Sequence, residues 1–200
     1  MFDAAIRPVI DPVLKPLASA LSRAGISANL ITLAALLPAA AACYFISAEA
    51  YIAALAMIIV NRLMDGLDGM VARINGPSAL GGYLDILADF AFYVAVPVGF
   101  GLASPENLLP AMLLIAAFTL TGISFLAYAA AAANTQITNG AHGPKAFLYS
   151  TGMMEGGETI LFFTAFCLAP GTFAVLAYIF AVLCIVTVLQ RSWLAVKTLQ

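Results

Sequence analysis

Charged residues are scarce in this chain. Asp, Glu, Lys and Arg make up 9% of its 200 residues, where soluble globular chains carry about 25%. With 64% apolar residues and a mean hydropathy of +1.04, that deficit excludes a water-soluble domain and implies an integral membrane protein. Excess positive charge is also missing. Eight basic residues against ten acidic ones leave a net charge of −2, which argues against a nucleic-acid binder. Cys43, Cys167 and Cys184 stand singly in apolar runs, with no C-x-x-C pair and no partner histidine. They point to neither a zinc site nor a disulfide framework and read as small buried hydrophobes. His142, flanked by Gly143 and Pro144, reads as a loop residue without a chemical role. The first 27 residues are punctuated by proline and charge, so they do not read as a signal peptide.

What the chain does have is long apolar runs. A bilayer core about 30 Å thick takes about 20 apolar residues per helical span. The runs predict an all-α integral membrane protein in one domain, residues 1–200, with six transmembrane helices at about 28–47, 51–73, 81–103, 108–133, 156–169 and 172–190. Residues 1–27 precede them as a short interfacial segment, apolar at helical spacing but interrupted by Pro8, Pro12 and Pro16, hence kinked at best. Six spans place both termini on one side. Arg7, Lys15, Arg23, Arg62, Arg73, Lys145, Arg191 and Lys197 all fall on that side, whereas the opposite connections carry only Glu49 and Glu106. The positive-inside rule makes the basic face, and both termini, cytoplasmic.

Four of the ten acidic residues lie between positions 65 and 89. Ionisable residues at membrane depth line a cavity or have partners, because each costs about 2.5–3.5 kcal/mol at a helix centre. Asp65 and Asp68 are three apart and Asp85 and Asp89 four apart, so each pair shares a helix face. A turn around Asn75-Gly76-Pro77 would bring the pairs together. Carboxylates so gathered repel unless something positive sits among them, and Mg²⁺ or Mn²⁺ suits an all-oxygen donor set. Gly66, Gly69, Ala72, Gly81 and Gly82 keep the helix faces bare enough for a bulky polyanion, and Arg73 adds a planar donor fork suited to phosphate. Carboxylates, metal and arginine among small residues are the chemistry of phosphoryl transfer.

Asp65-x-x-Asp68-Gly69-x-x-Ala72-Arg73 followed by Gly81-x-x-x-Asp85-x-x-x-Asp89 closely resembles the signature of the CDP-alcohol phosphotransferases, eight positions over 25 residues. Asn29 and Thr32 resemble the family's Asn-x-x-Thr. One departure is that seven residues separate Arg73 from Gly81 where eight is common; Gly82 would restore that spacing but put Asp85 and Asp89 out of step. The resemblance implies transfer of a phosphatidyl or other substituted phosphoalcohol group from CDP-diacylglycerol or a related CDP-alcohol to a hydroxyl acceptor, releasing CMP, in phospholipid synthesis. It implies that Asp65, Asp68 and Asp85, with Asp89 as a further contributor, hold two Mg²⁺ or Mn²⁺ ions, and that Asp89 is the general base. Gly69 and Ala72 would make room for the nucleotide, Gly81 would do so at the start of the next helix, and Arg73, Asn29 and Thr32 would contact its phosphates or cytidine. Homodimers in the bacterial inner membrane, with the site facing the cytoplasm, are expected.

The acceptor is not legible. Lys145, Arg62 and Glu155 are candidates for its site, with Arg191 a further available cation. Asn29 is equally a helix N-cap, and Arg73 can also be read as a topology anchor. Two other functions compete: an inactive lipid- or nucleotide-binding member of the same family, and an ion or proton transporter using the acidic cluster.

Overall fold

The computed structural model describes residues 2–134, 154 and 156–199, with side chains from Pro12 onward except those of residues 133 and 134. Every extended element among them is helical: α1 (Phe2–Arg23), α2 (Ala28–Ser47), α3 (Tyr51–Asn75), α4 (Ala79–Ala103), α5 (Leu108–Asn134), α6 (Gly156–Leu168) and α7 (Phe173–Thr198). Short 3₁₀ turns, Pro105–Asn107 and Pro170–Thr172, lead into α5 and α7.

Helix ends follow local chemistry. Ser27 caps α2, its hydroxyl accepting from the Leu30 N–H at 3.3 Å, and Ser78 caps α4 by accepting from the Gly81 N–H at 3.0 Å. Asn29 is therefore not the cap of α2; it is the second residue of the helix, with its side chain available elsewhere. Gly76 ends α3 with φ +94°, a conformation that glycine adopts without a Cβ penalty, and Pro77 prevents the helix from continuing. Between α2 and α3 the non-glycine Glu49 takes φ +59°, and the Ala50 N–H reaches back to the Phe45 carbonyl at 2.8 Å.

α1 is the segment that its prolines were expected to kink. It runs as one 22-residue helix through three prolines. Pro8, Pro12 and Pro16 are spaced by four, so the N–H groups they lack and the carbonyls they leave unbonded fall along one stripe. Pro12 and Pro16 are exposed, which puts that stripe where outside partners can reach it. The other side packs on α3: a Cβ on Gly66 would sit 3.2 Å from Leu14 Cδ1. Gly66 thus admits α1 rather than a substrate. Leu14 and Ala18 join Ile31, Leu67, Met70 and Val71 in a small apolar cluster.

The main core lies among α2 to α7 and is built from aromatic rings. Phe100 stacks on Phe173 at 4.2 Å, Phe162 on Phe180 at 4.4 Å, and Phe118 meets Phe180 edge-on at 5.1 Å. Outward, Leu37, Ile52, Leu102, Met112, Val175 and Leu189 are exposed, as a lipid-facing surface requires. Four segments, Ala28–Ser47, Ala79–Ala103, Pro105–Ala132 and Pro170–Thr198, are long and apolar enough to cross a membrane, and Gly156–Leu168 is a shorter apolar helix. α3 is long enough but carries Arg62, Asp65, Asp68 and Arg73 in its second half.

Candidate active site

The end of α3 and the start of α4, joined through the Gly76 turn, face each other across a gap, with α2 packed against both. One carboxylate oxygen from each of Asp65, Asp68 and Asp85 lies within 4.8 Å of the others. Asp68 is buried at 4% exposure, Asp65 is half-buried, and Asp85 is open to the outside. The trio therefore has a buried floor and an open mouth. All three donors are hard oxygens, which suits Mg²⁺ or Mn²⁺ and not a thiolate- or imidazole-preferring metal. Oxygens bound to one Mg²⁺ stand about 3.0 Å apart when adjacent and about 4.2 Å when opposite, so the trio would draw together to share an ion.

Thr32 of α2 completes the floor. Its hydroxyl lies 2.6 Å from Asp68 Oδ2 and 3.1 Å from the Ala28 carbonyl, so its one proton can be donated to the carboxylate. Sequence reasoning assigned Thr32 to the nucleotide; its partner in the fold is Asp68. Asn29, three residues earlier, sits at the α4 start: a Cβ on Gly81 would lie 3.1 Å from Asn29 Oδ1 and from Ser78 Oγ, whereas one on Gly82 would meet nothing within 4 Å. Of the two candidate glycines, Gly81 is the one whose missing side chain lets α2 and α4 close together. Arg73, exposed at the end of α3, folds back so that a Cβ on Gly69 would be 3.5 Å from its Nη1. Ala72 lies between them in sequence, half-buried.

The fourth aspartate lies beside the trio, linked to it through Arg62. Asp89 Oδ1 accepts from Arg62 Nη1 at 2.9 Å, and the same nitrogen is 3.6 Å from Asp65 Oδ2. Arg62, a candidate acceptor-site cation, has its side chain 18% exposed and engaged by neighbouring protein groups. Its Nε and Nη2 both donate to Asn61 Oδ1, at 2.9 and 2.6 Å, and Asn61 Nδ2 donates to the Ala35 carbonyl at 2.8 Å. Its guanidinium carbon is 4.2 Å from the Phe92 ring centroid. Asn61 escaped notice in the sequence, although a polar residue beside an arginine in an apolar run is itself a signal. Arg191 is likewise buried, donating to the Thr121 carbonyl at 3.0 Å. Lys145 and Glu155, with His142, lie outside the described residues.

Fold and site together define a class: a helical protein with membrane-length apolar helices and, at the α3–α4 end, a carboxylate centre of the kind that holds hard divalent cations. Residues 26–196 match CDP-alcohol phosphatidyltransferase, and the chain belongs to that family. Along its whole length it is 45% identical to the inner membrane protein YnjF of Escherichia coli K12, covering 99% of that protein. Two crystal structures of phosphatidylinositol phosphate synthase from Mycobacterium tuberculosis share the fold at 20% identity. The one with CDP-DAG bound gives a TM-score of 0.68 over 92% of this chain and 94% of that one. The one with manganese and citrate gives 0.67 over 92% and 89%.

Proposed function

We propose that this protein transfers a phosphatidyl group, or a related substituted phosphoalcohol, from CDP-diacylglycerol or another CDP-alcohol to a hydroxyl acceptor and releases CMP, in phospholipid synthesis. The observation that carries this reading is the convergence of Asp65, Asp68 and Asp85 within 4.8 Å, beside Arg73 and the bare surface of Gly69. Family membership supports it, as do the solved relatives, one holding CDP-DAG and another manganese.

Asp65, Asp68 and Asp85, with Asp89 as a further contributor, would hold Mg²⁺ or Mn²⁺, two ions in the reading the family resemblance implies. Bound there, the metal would neutralise the pyrophosphate and the charge building on departing CMP. Arg73 would bind a phosphate through its donor fork, with Gly69 and Ala72 leaving room for the nucleotide. Asn29 and Gly81 would border the nucleotide at the mouth between α2 and α4. Asp89 would take the acceptor's proton as the acceptor oxygen bonds to the phosphatidyl phosphorus. The bond from that phosphorus to the bridging oxygen breaks, and CMP leaves with the electron pair. Thr32 would steady Asp68 throughout.

The reading includes six spans, a homodimer and a site on the cytoplasmic side; its place in the bacterial inner membrane is supported by the YnjF relative. The sorting of basic residues supports that orientation, and Ser22 Oγ lies 2.5 Å from Asn75 Oδ1, keeping Arg23 at the site's end of the molecule. A transporter would need a polar route past the aspartates, and that interior is filled by Phe100, Phe166, Phe173 and Phe180.

The test is CMP release from CDP-diacylglycerol by purified protein in liposomes with Mg²⁺ or Mn²⁺ and a panel of alcohols. Acceptor-dependent release, with the matching lipid seen by mass spectrometry, is the expected outcome. Folded protein that neither binds CDP-alcohols nor releases CMP would overturn the proposal.

A further inference from the structure

We infer that Leu14 of α1 is a positioning residue for the carboxylate centre: seated against Gly66, it braces the turn of α3 that carries Asp65 and Asp68. A helix outside the aspartate signature thereby sets where two of its carboxylates stand. The inference rests on the metal-dependent transfer proposed above.

Gly66 follows Asp65 directly and precedes Asp68 by two residues. A Cβ there would stand 3.2 Å from Leu14 Cδ1, so α1 comes up to bare backbone between the two aspartates. Leu14 is 7% exposed and clusters with Leu67, which adjoins Asp68 in α3, and with Ile31, which adjoins Thr32 in α2. The contact therefore borders the floor of the site on both helices that build it.

Successive helical residues project about 100° apart, which puts Gly66 and Asp68 about 160° from one another around α3. Leu14 on one side and the Thr32 hydroxyl, 2.6 Å from Asp68 Oδ2, on the other thus grip one turn from opposing flanks. Opposed grips resist rotation of α3 about its own axis. A roll of about 10° would carry a carboxylate at a radius of about 5–6 Å through about 1 Å, a displacement that costs about 100-fold in rate when reacting groups are misplaced by it. A second tie, Ser22 Oγ to Asn75 Oδ1 at 2.5 Å, holds α1 to the end of the same stretch. From Leu14 to Ser22 is about 12 Å of helix and from Gly66 to Asn75 about 13.5 Å, so α1 runs along α3 past Asp65, Asp68 and Arg73.

The experiment compares wild type, Leu14→Ala, Gly66→Ala and the double variant, purified in detergent. Mn²⁺ binding without substrate is followed by the paramagnetic resonance of free Mn²⁺. CMP release at saturating Mn²⁺ and the unfolding temperature are measured in parallel. Leu14→Ala withdraws the brace and Gly66→Ala pushes against it; each should weaken Mn²⁺ binding about fivefold and lower kcat about tenfold. The double variant returns a methyl to the space that the leucine vacates, and both quantities should recover to within about threefold of wild type. Its unfolding temperature should not recover in step, because one methyl replaces only part of a buried leucine. A merely structural contact would instead make Mn²⁺ affinity and kcat follow the unfolding temperature through all three variants, and that pattern would overturn the inference. Single variants within about twofold of wild type in both quantities would overturn it too, as would a double variant no better than the worse single one. If Gly66→Ala does not fold, Leu14→Val, which lacks Cδ1, should show the losses of Leu14→Ala to a smaller degree; wild-type values there would also overturn it. Failure of the underlying reading is distinguishable. Wild type that binds Mn²⁺ but releases no CMP removes the transfer reaction, and the Mn²⁺ contrast then decides the role of Leu14 alone. Wild type that binds no Mn²⁺ overturns both.

Discussion

Glycine does one kind of work in the aromatic half of this molecule and two at the carboxylate end, where Gly66 and Gly81 also admit protein. In the aromatic half it lets neighbours in: a Cβ on Gly99 would lie 2.8 Å from the Cys43 carbonyl oxygen, and one on Gly122 would lie 2.5 Å from the Phe90 ring. There the absent side chain is filled by protein, and the reward is close packing. At the carboxylate end Gly82 faces open space and Gly69 is covered only by the movable Arg73. There the absent side chain leaves room for something that is not protein. A half that is finished when the chain folds and a half that is completed by a ligand call for different responses to mutation.

The largest expected effect is on the unfinished half. Asp89→Asn keeps shape but cannot take a proton, and CMP release should fall by about a thousandfold with thermal stability in detergent unchanged. Wild-type-like turnover would remove the base assignment. In the finished half, Gly99→Ala pushes against backbone and should cost about 1–3 kcal/mol of stability, read as a lower unfolding temperature with KM unaltered. Thr32→Val leaves Asp68 without its hydroxyl donor. It should weaken Mn²⁺ binding and CMP release by about tenfold, equivalent to about 1.4 kcal/mol. Gly81→Ala crowds Asn29 and should raise the KM for the CDP-alcohol several-fold, while Gly82→Ala should leave stability at least as high as wild type, because alanine is the better helix former. The smallest effect lies at the end far from the carboxylates. Glu49→Gly relieves a left-handed backbone and should add about 1 kcal/mol of stability without touching activity.

Much of this was written in local sequence. The Asn75–Ser78 break bounds α3 and α4 because Gly76, Pro77 and Ser78 have specific backbone and capping chemistry, whereas the Ser47–Ala50 break between α2 and α3 turns on Glu49 in a left-handed conformation. The paired aspartates were legible because i,i+3 and i,i+4 spacing decides which side chains share a face. What was not legible depended on long-range partners. Arg62 reads as an orientation charge until Asp89, 27 residues away, comes beside it. Asn29 reads as a cap until Ser27 is seen to do that work. Gly66 reads like Gly69 until Leu14 of α1 fills the space over it. α1 holds three prolines in one helix because their common spacing confines the lost bonds to one stripe.

The most direct test of the account is CMP release from CDP-diacylglycerol in liposomes, titrated with Mn²⁺ in wild type and in Asp85→Ala. Asp85 is the α4 member of the trio, so it reports whether the two helices share one metal-dependent centre. Saturable Mn²⁺ dependence in wild type, lost or shifted by at least about tenfold in the variant, is the predicted result. Release that needs no divalent ion, or that Asp85→Ala leaves untouched, would contradict it.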